Sequence, residues 1–335
     1  MRTRLRDYCE IAFPEWEIID VEQPNNISTG WESDVYAFKL CYRDRQWAER
    51  TRSLVLRLYA SADAAEKAPR EFIGMRRLRG HGYPVPKVWT MEIQASPFGR
   101  PFLIMDHIAG QPLWQSMFAA PAARRDMLVE RFCELQVRLH ALDWRNFVDD
   151  PDSFPIDAVE RWLGLVRGYL DLYPLPGLRA VWEWLETRSK SVSARPLAVV
   201  HWDYHPDNVI LCADDELYVI DWTQIEVSDP RFDLAWTLLL VGASEGESWR
   251  AVLLRAYERS VGAAIDDLPF FEVAACLKRL GSILISVRGG AEQLGMRTGA
   301  ELLMLRQTDA LGRVYDVLRD RSSLRVPEVE ALLRA

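Results

Sequence analysis

The sequence predicts an α+β protein in which a small, strand-rich part precedes a larger, helical part. In about the first hundred residues, four short β-branched or aromatic runs are bounded by Gly, Pro or polar residues, which is typical of strands. Beyond Gly110 the pattern changes to long amphipathic segments with the helical period. Strand-like runs return only within residues 197–222.

The predicted strands of the first part are VYAFKL, SLVLRLY, VWTMEI and PFLIMDHI. Between the second and third of them lies AAEKAPREFIGMRRLRGHG, a predicted helix that glycines close. Side chains alternate along a strand, so Arg57 is expected on the opposite face from Leu54, Leu56 and Leu58. Those leucines are expected to pack the core of this part.

The second part is predicted to be mainly helical. Leu128, Phe132, Leu135 and Leu139 are spaced by four, three and four residues, so they share one helical face. Further helices are predicted around residues 156–173, 178–189, 231–241, 249–261, 270–287 and 300–318. The two parts are expected to join near DHIAGQ.

Composition limits the classes of protein to consider. The chain has 335 residues, of which 49% are apolar and 27% charged, as in ordinary globular proteins. Its longest apolar stretch, LAWTLLLVGA, is about half the length of a membrane span. The five cysteines never form a CxxC pair, and the start MRTRLRDYCE lacks an apolar signal region. A cytoplasmic protein without membrane association is therefore expected.

The charge is acidic and unevenly distributed. A net charge of -8 argues against a nucleic-acid binder. Residues 201–240 hold nine carboxylates and one base, whereas the sequence after residue 240 is neutral. Asp214, Asp215 and Glu216 are interpreted as solvated residues of a hairpin turn, and Asp229 as a helix N-cap.

Three of the remaining acidic residues, Asp203, Asp207 and Asp221, lie in the motif HWDYHPDNVI and in the IDW that follows it. A loop with Asp203 and Asn208 can direct a base at a hydroxyl group while the amide oxygen reaches a divalent cation. Asp221, at the end of an apolar run, can chelate the cation. Phosphoryl transfer has these requirements. His201 and His205 are not favoured as a transition-metal pair, because no cysteine and no HExxH spacing accompanies them.

The order H-x-D-x-x-x-x-N, IDW and SDPRFDLA resembles the aminoglycoside phosphotransferase and choline kinase-like family. Upstream matches are ISTGWESDVYAF, LVLRL, REFIGMRRL with VPKVW, and FLIMDHIAGQPL, so the resemblance covers residues 25–240. It implies a bilobal, protein kinase-like α+β fold. A small, β-rich nucleotide-binding lobe is expected at residues 1–108, and a larger helical lobe for catalysis and substrate binding at residues 109–335.

The resemblance also implies a role for each matching residue. Asp203 is expected to be the catalytic base and Asn208 and Asp221 to bind Mg²⁺, while His201 and Asp233 brace the loop. Glu71 is expected to pair with Arg57, Met105 to line the purine pocket, and Asp106 and Ile108 to offer it backbone groups. Gly30 is interpreted as a phosphate-loop glycine, helped by the hydroxyl groups of Ser28, Thr29 or Ser33, or as an ordinary hairpin glycine. The nucleotide-binding set is Gly30, Ser33, Arg57, Glu71, Met105, Asp106 and Ile108.

This sequence departs from the family pattern at Arg57, where protein kinases have lysine, and at Trp202, where glycine is usual. The expected activity is transfer of the γ-phosphoryl group from ATP or GTP, with Mg²⁺, to a hydroxyl group of a small molecule. The neutral C-terminal sequence favours a sugar, macrolide or amino alcohol over a polycationic aminoglycoside. A nucleotide-binding pseudokinase that regulates a partner is the alternative. The sequence does not indicate an oligomeric state.

Overall fold

The computed structural model describes residues 1–28, 33–60, 63–94, 96–297, 299–306 and 308–334, without the side chain of residue 303. The chain divides into two compact units. The first unit consists of residues 1–110, 210–224 and 291–300, and the second of residues 111–209, 225–290 and 301–335. The predicted boundary between residues 108 and 109 stays a prediction. Within the described ranges, none of the helices is long and apolar enough to cross a membrane.

An antiparallel sheet forms the main part of the first unit. Its strands are β1 (Glu17–Val21), β2 (Asn25–Asn26), β3 (Ser33–Arg43), β4 (Glu49–Tyr59), β5 (Val88–Glu92) and β6 (Phe102–Asp106). The strand order is β1-β3-β4-β6-β5, and β2 pairs with β3. Strands β3 and β4 pair over 11 residues each, from Ser33 opposite Tyr59 to Arg43 opposite Glu49. Both strands are longer than the predicted runs, and in β4 the additional residues, 49–52, are exposed or partly exposed.

One face of this sheet is covered by a helix that the sequence analysis did not predict. Helix α1 (Arg2–Ala12) buries Leu5 and Cys9, which are four residues apart and therefore share a helical face. They belong to one core with Leu54, Leu56 and Leu58 of β4, as the alternation predicts. On β4, Arg57 is also buried. Helix α2 (Ala64–Gly80) corresponds to the predicted helix of this part.

Three shorter strands are β7 (Gly110–Pro112), β9 (Val209–Cys212) and β10 (Leu217–Val219). Of these, β10 lies wholly within the first unit, which also includes Gly110 of β7 and residues 210–212 of β9. The turn between β9 and β10 carries Asp214, Asp215 and Glu216, and Asp215 has a φ of 71°. A Cβ atom on Gly110 would collide with the backbone of Leu211, so only glycine permits this approach.

Helices dominate the second unit. They are α3 (Leu113–Ala119), α4 (Ala122–His140), α5 (Ala158–Leu172), α6 (Pro176–Ser189), α7 (Pro230–Glu245), α8 (Glu247–Val261), α9 (Leu268–Gly289), α10 (Ala300–Leu305), α11 (Thr308–Ser322) and α12 (Pro327–Leu332). Helix α7 is apolar and buried on most sides, which is typical of a helix at the centre of a core. Asp229 caps α7 by accepting a hydrogen bond from the backbone N–H of Arg231, as predicted.

A two-stranded sheet of the second unit leads into the polar motif. Strand β8 (Ala198–Val200) pairs with β11 (Glu226–Ser228), a strand that the sequence analysis missed. The chain leaves β8 at His201 and forms a 3-10 turn at Pro206–Asn208. The motif therefore lies on a short loop that begins at a buried strand.

Candidate active site

Asp203 and Asn208 lie next to each other on the loop that follows β8. The Asn208 amide group donates hydrogen bonds to the Asp203 backbone oxygen at 2.9 Å and to Oδ2 of its carboxylate at 3.3 Å. These bonds use the nitrogen of the Asn208 side chain. The amide oxygen of Asn208 is therefore turned away from Asp203 and can serve as a ligand for a cation.

Two more side chains contact the Asp203 carboxylate besides Asn208. Oδ1 accepts a hydrogen bond of 2.8 Å from Nε1 of Trp236, and Oδ2 lies 3.6 Å from Nε2 of His205. Burial raises the pKa of Asp203, but His205, the Trp236 hydrogen bond and the charge of Lys278 outweigh burial and hold the pKa below its usual range. The carboxylate is therefore ionised at neutral pH and acts only as an acceptor.

Asp233 braces the backbone of the same loop. Its carboxylate accepts hydrogen bonds from the backbone N–H groups of His201 at 3.1 Å and Trp202 at 2.7 Å, and from Nε2 of His140 at 3.1 Å. Burial raises the pKa of Asp233, but the hydrogen bond and charge of His140 outweigh burial and lower it. This contact is the bracing interaction that the family resemblance implies for Asp233.

Trp202 has a backbone conformation that favours glycine, the residue that the family resemblance implies at this position. Its φ of 64° lies in the left-handed region, which costs other residues roughly 1–2 kcal/mol. The side chain is nevertheless buried, and its Nε1 donates to Glu226 at 2.9 Å. Phe232 packs beside the indole, with 5.2 Å between the ring centroids. Packing around the indole offsets the backbone strain.

In the first unit, Arg57 bridges two carboxylates. Nη1 donates to Glu71 at 3.2 Å, and Nη2 donates to Oδ1 of Asp221 at 2.6 Å. Burial lowers the pKa of Arg57, but the charges of Asp221 and Glu71 outweigh burial and raise it, so the guanidinium stays charged. Within the described residues its Nε atom has no hydrogen-bond partner.

Glu71 lies at the buried end of this bridge. It is fully buried on α2, and its second oxygen accepts a hydrogen bond of 2.5 Å from the Tyr59 hydroxyl group. Burial raises the pKa of Glu71, and the charge of Arg57 opposes this effect. The predicted pairing of Arg57 with Glu71 is thus present in the structure.

Asp221 follows β10 with a φ of 67°. Its Oδ1 atom accepts from Arg57 and, at 3.4 Å, from the Thr223 hydroxyl group. Trp222 anchors the segment, since it is fully buried and its Nε1 donates to the Val219 backbone oxygen at 2.9 Å. The fixed backbone sets the direction of the Asp221 carboxylate.

The residues expected to bind the purine lie at the end of β6 and directly after it. Met105 is buried. The backbone N–H of Asp106 already donates to the Lys87 carbonyl at 2.8 Å, and its carboxylate accepts from Nε1 of Trp89 at 2.7 Å. Ile108, two residues further on, is partly exposed. A purine bound here would therefore use other backbone groups than the Asp106 N–H.

Of the residues expected to contact phosphates, Ser33 is buried at the start of β3. The Ser28 hydroxyl group accepts a hydrogen bond of 2.8 Å from the backbone N–H of Val35. Gly30 and Thr29 lie outside the described residues. Their expected roles stay predictions.

The donor atoms of Asn208 and Asp221 fit Mg²⁺. Both side chains offer oxygen, which this hard cation prefers, and protein sites for Mg²⁺ usually supply only one or two carboxylates besides substrate phosphates. Oδ1 of Asp221 is engaged by Arg57, whereas Oδ2 accepts no hydrogen bond within the described ranges. No group of three or more His, Cys, Asp or Glu side chains that could hold a metal occurs in those ranges.

A cavity of about 170 Å³ lies in the second unit, beside the loop. Its walls are side chains of α3, α7, α9 and α11 and of residues 205–207. Most of the lining side chains are apolar, and the polar ones are His205, Asp207, Ser244 and Arg279. Since His205 also contacts Asp203, one wall of the cavity adjoins the expected base.

Sequence reasoning missed two residues that contact this loop. Trp236 donates to Asp203, and Lys278 donates to the Trp202 backbone oxygen at 2.8 Å. Trp236 directly follows the motif SDPRFDLA, so that motif offered a signal. Lys278 lies on α9, far along the chain from the loop, and no local pattern connects the two.

Comparison with known proteins gives a family match over most of the chain. The model of the phosphotransferase enzyme family matches residues 25–270. Acyl-CoA dehydrogenase family member 10 of Mus musculus is 28% identical over 205 residues, which are 56% of this chain and 18% of the relative. Member 11 of Rattus norvegicus is 26% identical over 51% of this chain and 23% of its own length. The chain thus spans about a fifth of these relatives.

Solved structures confirm the protein kinase-like α+β fold. A Ralstonia eutropha protein assigned as an aminoglycoside phosphotransferase has a TM-score of 0.65 and 18% identity, covering 99% of this chain and 97% of its own. A macrolide 2'-phosphotransferase from Brachybacterium faecium has a TM-score of 0.56 and 18% identity, covering 91% and 96%. A thermostable aminoglycoside phosphotransferase mutant, complexed with ADP and hygromycin B, has a TM-score of 0.60 and 16% identity, covering 94% and 98%.

Proposed function

Because the chain belongs to the phosphotransferase enzyme family, we propose that it transfers the γ-phosphoryl group of ATP or GTP to a hydroxyl group of a small molecule. The acceptor oxygen forms a bond to the γ-phosphorus, the bond from that phosphorus to the β–γ bridging oxygen breaks, and the nucleoside diphosphate leaves. The Asp203 carboxylate takes the hydroxyl proton.

The observation that carries this proposal is the environment of Asp203. Trp236 holds one carboxylate oxygen, while Asn208 and His205 flank the other, so the group is oriented before a substrate binds. Its pKa lies below the usual range, so the group is an anion that can accept a hydrogen bond from the acceptor hydroxyl group and orient it. An oriented, ionised carboxylate suits a base that directs a hydroxyl group.

The metal and nucleotide roles are also proposals. Asn208 and Asp221 would hold Mg²⁺ through side-chain oxygens, and the ion would neutralise charge on the phosphates. Arg57 would contact the phosphates, since its charge is permanent and its buried Nε–H lacks a partner among the described residues. Glu71 orients Arg57, and Met105, Asp106 and Ile108 would contact the purine.

The cavity of the second unit supports an acceptor with few charges. Its lining is mainly apolar. The lining has one carboxylate, that of Asp207, and two basic side chains, Arg279 and His205. A polycationic aminoglycoside would find little charge complementarity there. We therefore propose a neutral or weakly charged acceptor, such as a sugar, macrolide or amino alcohol.

A panel of hydroxyl compounds tests the proposed function. The protein is incubated with ATP or GTP and Mg²⁺ plus sugars, macrolides, amino alcohols or kanamycin, and the phosphorylated product is detected by mass spectrometry. We expect a product with at least one weakly charged acceptor and none with Asp203→Asn. A Mg²⁺-dependent rise of the melting temperature with nucleotide, without any product, would favour the pseudokinase alternative. Efficient, salt-sensitive phosphorylation of kanamycin would contradict the acceptor class.

A further inference from the structure

The ammonium group of Lys278 lies between two indole rings beside Asp203. Its Nζ atom is 4.2 Å from the centroid of the Trp236 ring and 4.8 Å from that of the Trp202 ring. Both tryptophans are buried, whereas Lys278 is partly exposed. The site between the rings therefore borders solvent.

Two indoles and a carboxylate form a typical site for an organic cation. A cation within about 6 Å of a ring centroid is attracted by the electron-rich face of the ring, and proteins bind quaternary ammonium ligands in such aromatic sites. Here Trp236 adds a negative group, since its Nε1 atom holds Asp203 at 2.8 Å. In this chain the cation of the site is its own lysine.

The position of Lys278 is fixed by more than the rings. Its Nζ atom donates a hydrogen bond of 2.8 Å to the backbone oxygen of Trp202, the residue that precedes Asp203. The charge of Lys278 also contributes to the lowered pKa of Asp203, which places it within electrostatic reach of the carboxylate. A second cation at this place would meet both an occupied site and a like charge.

We propose that Lys278 is a specificity-determining residue that fills an aromatic cation site beside Asp203 and so excludes acceptors whose ammonium group would lie there. The proposal rests on the proposed function in taking Asp203 as the group that the acceptor approaches. If Lys278 has this role, the only amino alcohols that can serve as acceptors are those whose ammonium group lies away from the reacting hydroxyl group. Neutral acceptors are unaffected.

Binding of tetramethylammonium, measured by ligand-observed NMR without nucleotide or acceptor, tests the proposal. Lys278→Met removes the charge and, because its side chain is one atom shorter, vacates the place of Nζ between the rings. Lys278→Gln also removes the charge, but its amide group can still donate to the Trp202 backbone oxygen. Lys278→Arg keeps a charge that stacks on indoles. We expect at least about tenfold tighter binding by the Met and Gln variants than by the wild type, or ~1.4 kcal/mol, and no gain for the Arg variant.

Lys87 provides a matched control in the first unit. Its Nζ atom lies 3.4 Å from the centroid of Trp89, an indole that also donates to a carboxylate, that of Asp106. Arg52 lies over the same ring at 4.3 Å, so Lys87→Met leaves a cation there. We expect this variant to bind tetramethylammonium no better than the wild type.

The outcomes separate this proposal from the proposed function, because no turnover is measured. Tighter binding by the uncharged Lys278 variants alone supports it. Equal binding by the wild type and Lys278→Met, or no binding by either, overturns it. If Lys278→Met does not fold, Lys278→Gln decides. Loss of folding in Lys278→Gln would show that Lys278 supports the loop, and this result would also overturn the specificity role.

Discussion

Nη2 of Arg57 lies 2.6 Å from Oδ1 of Asp221, and the same guanidinium group contacts Glu71 through Nη1 at 3.2 Å. Two carboxylates are thus held by one planar, permanently charged group. A lysine ammonium is a point charge on a flexible stem and lacks this fork. Arginine at this position therefore couples Asp221 to the buried Glu71 in a way that the usual lysine would not reproduce.

Replacing Arg57 tests this coupling. Arg57→Ala is expected to lower kcat/KM by about tenfold to a hundredfold, since a charged hydrogen bond is worth about 1.5–3 kcal/mol. The substitution also removes the charged partner of the buried Glu71 carboxylate, so we expect the free energy of unfolding to fall by about 3 kcal/mol. Arg57→Lys should retain measurable activity. Arg50→Ala, on the same strand but exposed and paired with Asp44, is the control. Unchanged kinetics in Arg57→Ala would remove Arg57 from the site.

Asp203→Asn is expected to lower kcat by about a hundredfold to ten-thousandfold, because an amide cannot accept the hydroxyl proton. The affinity for Mg-nucleotide should remain close to that of the wild type. Steady-state kinetics and a nucleotide-binding titration measure the two quantities. Asp214→Asn, in the exposed turn after β9, should change neither. Near-normal turnover of Asp203→Asn on a confirmed acceptor would show that another group is the base.

Asp221→Ala is expected to weaken nucleotide binding in the presence of Mg²⁺ more than in its absence, because the variant removes a proposed metal ligand. Calorimetric titrations with ATP, with Mg²⁺ or with EDTA, measure both affinities. An equal loss under both conditions would instead indicate that Asp221 acts by orienting Arg57.

Trp202→Gly should destabilise the protein although glycine suits the backbone. Relief of the left-handed φ would contribute roughly 1–2 kcal/mol, whereas deletion of a buried tryptophan costs about 3–5 kcal/mol. A net loss of about 1–4 kcal/mol in the free energy of unfolding is expected from urea denaturation. Asp215→Gly, at a φ of 71° in an exposed turn, should be neutral or stabilising. A more stable Trp202→Gly variant would show that the indole does not offset the strain.

Stability at acidic pH should depend on Asp233. Its folded-state pKa is lowered, so between the folded and unfolded values only the unfolded chain takes up the proton, and stability rises with pH. This contribution is complete above the unfolded value of about 3.9 and is lost as the pH falls through the folded value. Asp233→Asn should lower stability at neutral pH by about 1–3 kcal/mol and flatten the acid limb of urea midpoints measured against pH. If the acid limb is unchanged in Asp233→Asn, the loss of stability at acidic pH arises from other carboxylates.

The sequence by itself was sufficient for the features that depend on neighbouring residues. The period-2 pattern of LVLRLY predicted which side of β4 carries the leucines of the core, and Asp229 before Pro230 predicted the cap of α7. The motif with Asp203, Asn208 and Asp221 predicted the family and its kinase-like fold, because those spacings are local. Helix α1 was missed because its apolar residues are few and its burial depends on the sheet that it covers.

Only the tertiary structure decided the contacts between residues that are distant in the chain. Asp221 meets Arg57 across 164 positions, and Lys278 meets Trp202 across 76. Such contacts leave no periodic signal, because each depends on how whole helices and strands pack. Packing also decides that Trp202 tolerates a left-handed backbone, because Glu226 and Phe232, which contact its indole, come from other elements of the second unit. In the same way, the hydrogen bond that orients the Asp203 carboxylate comes from Trp236 on α7.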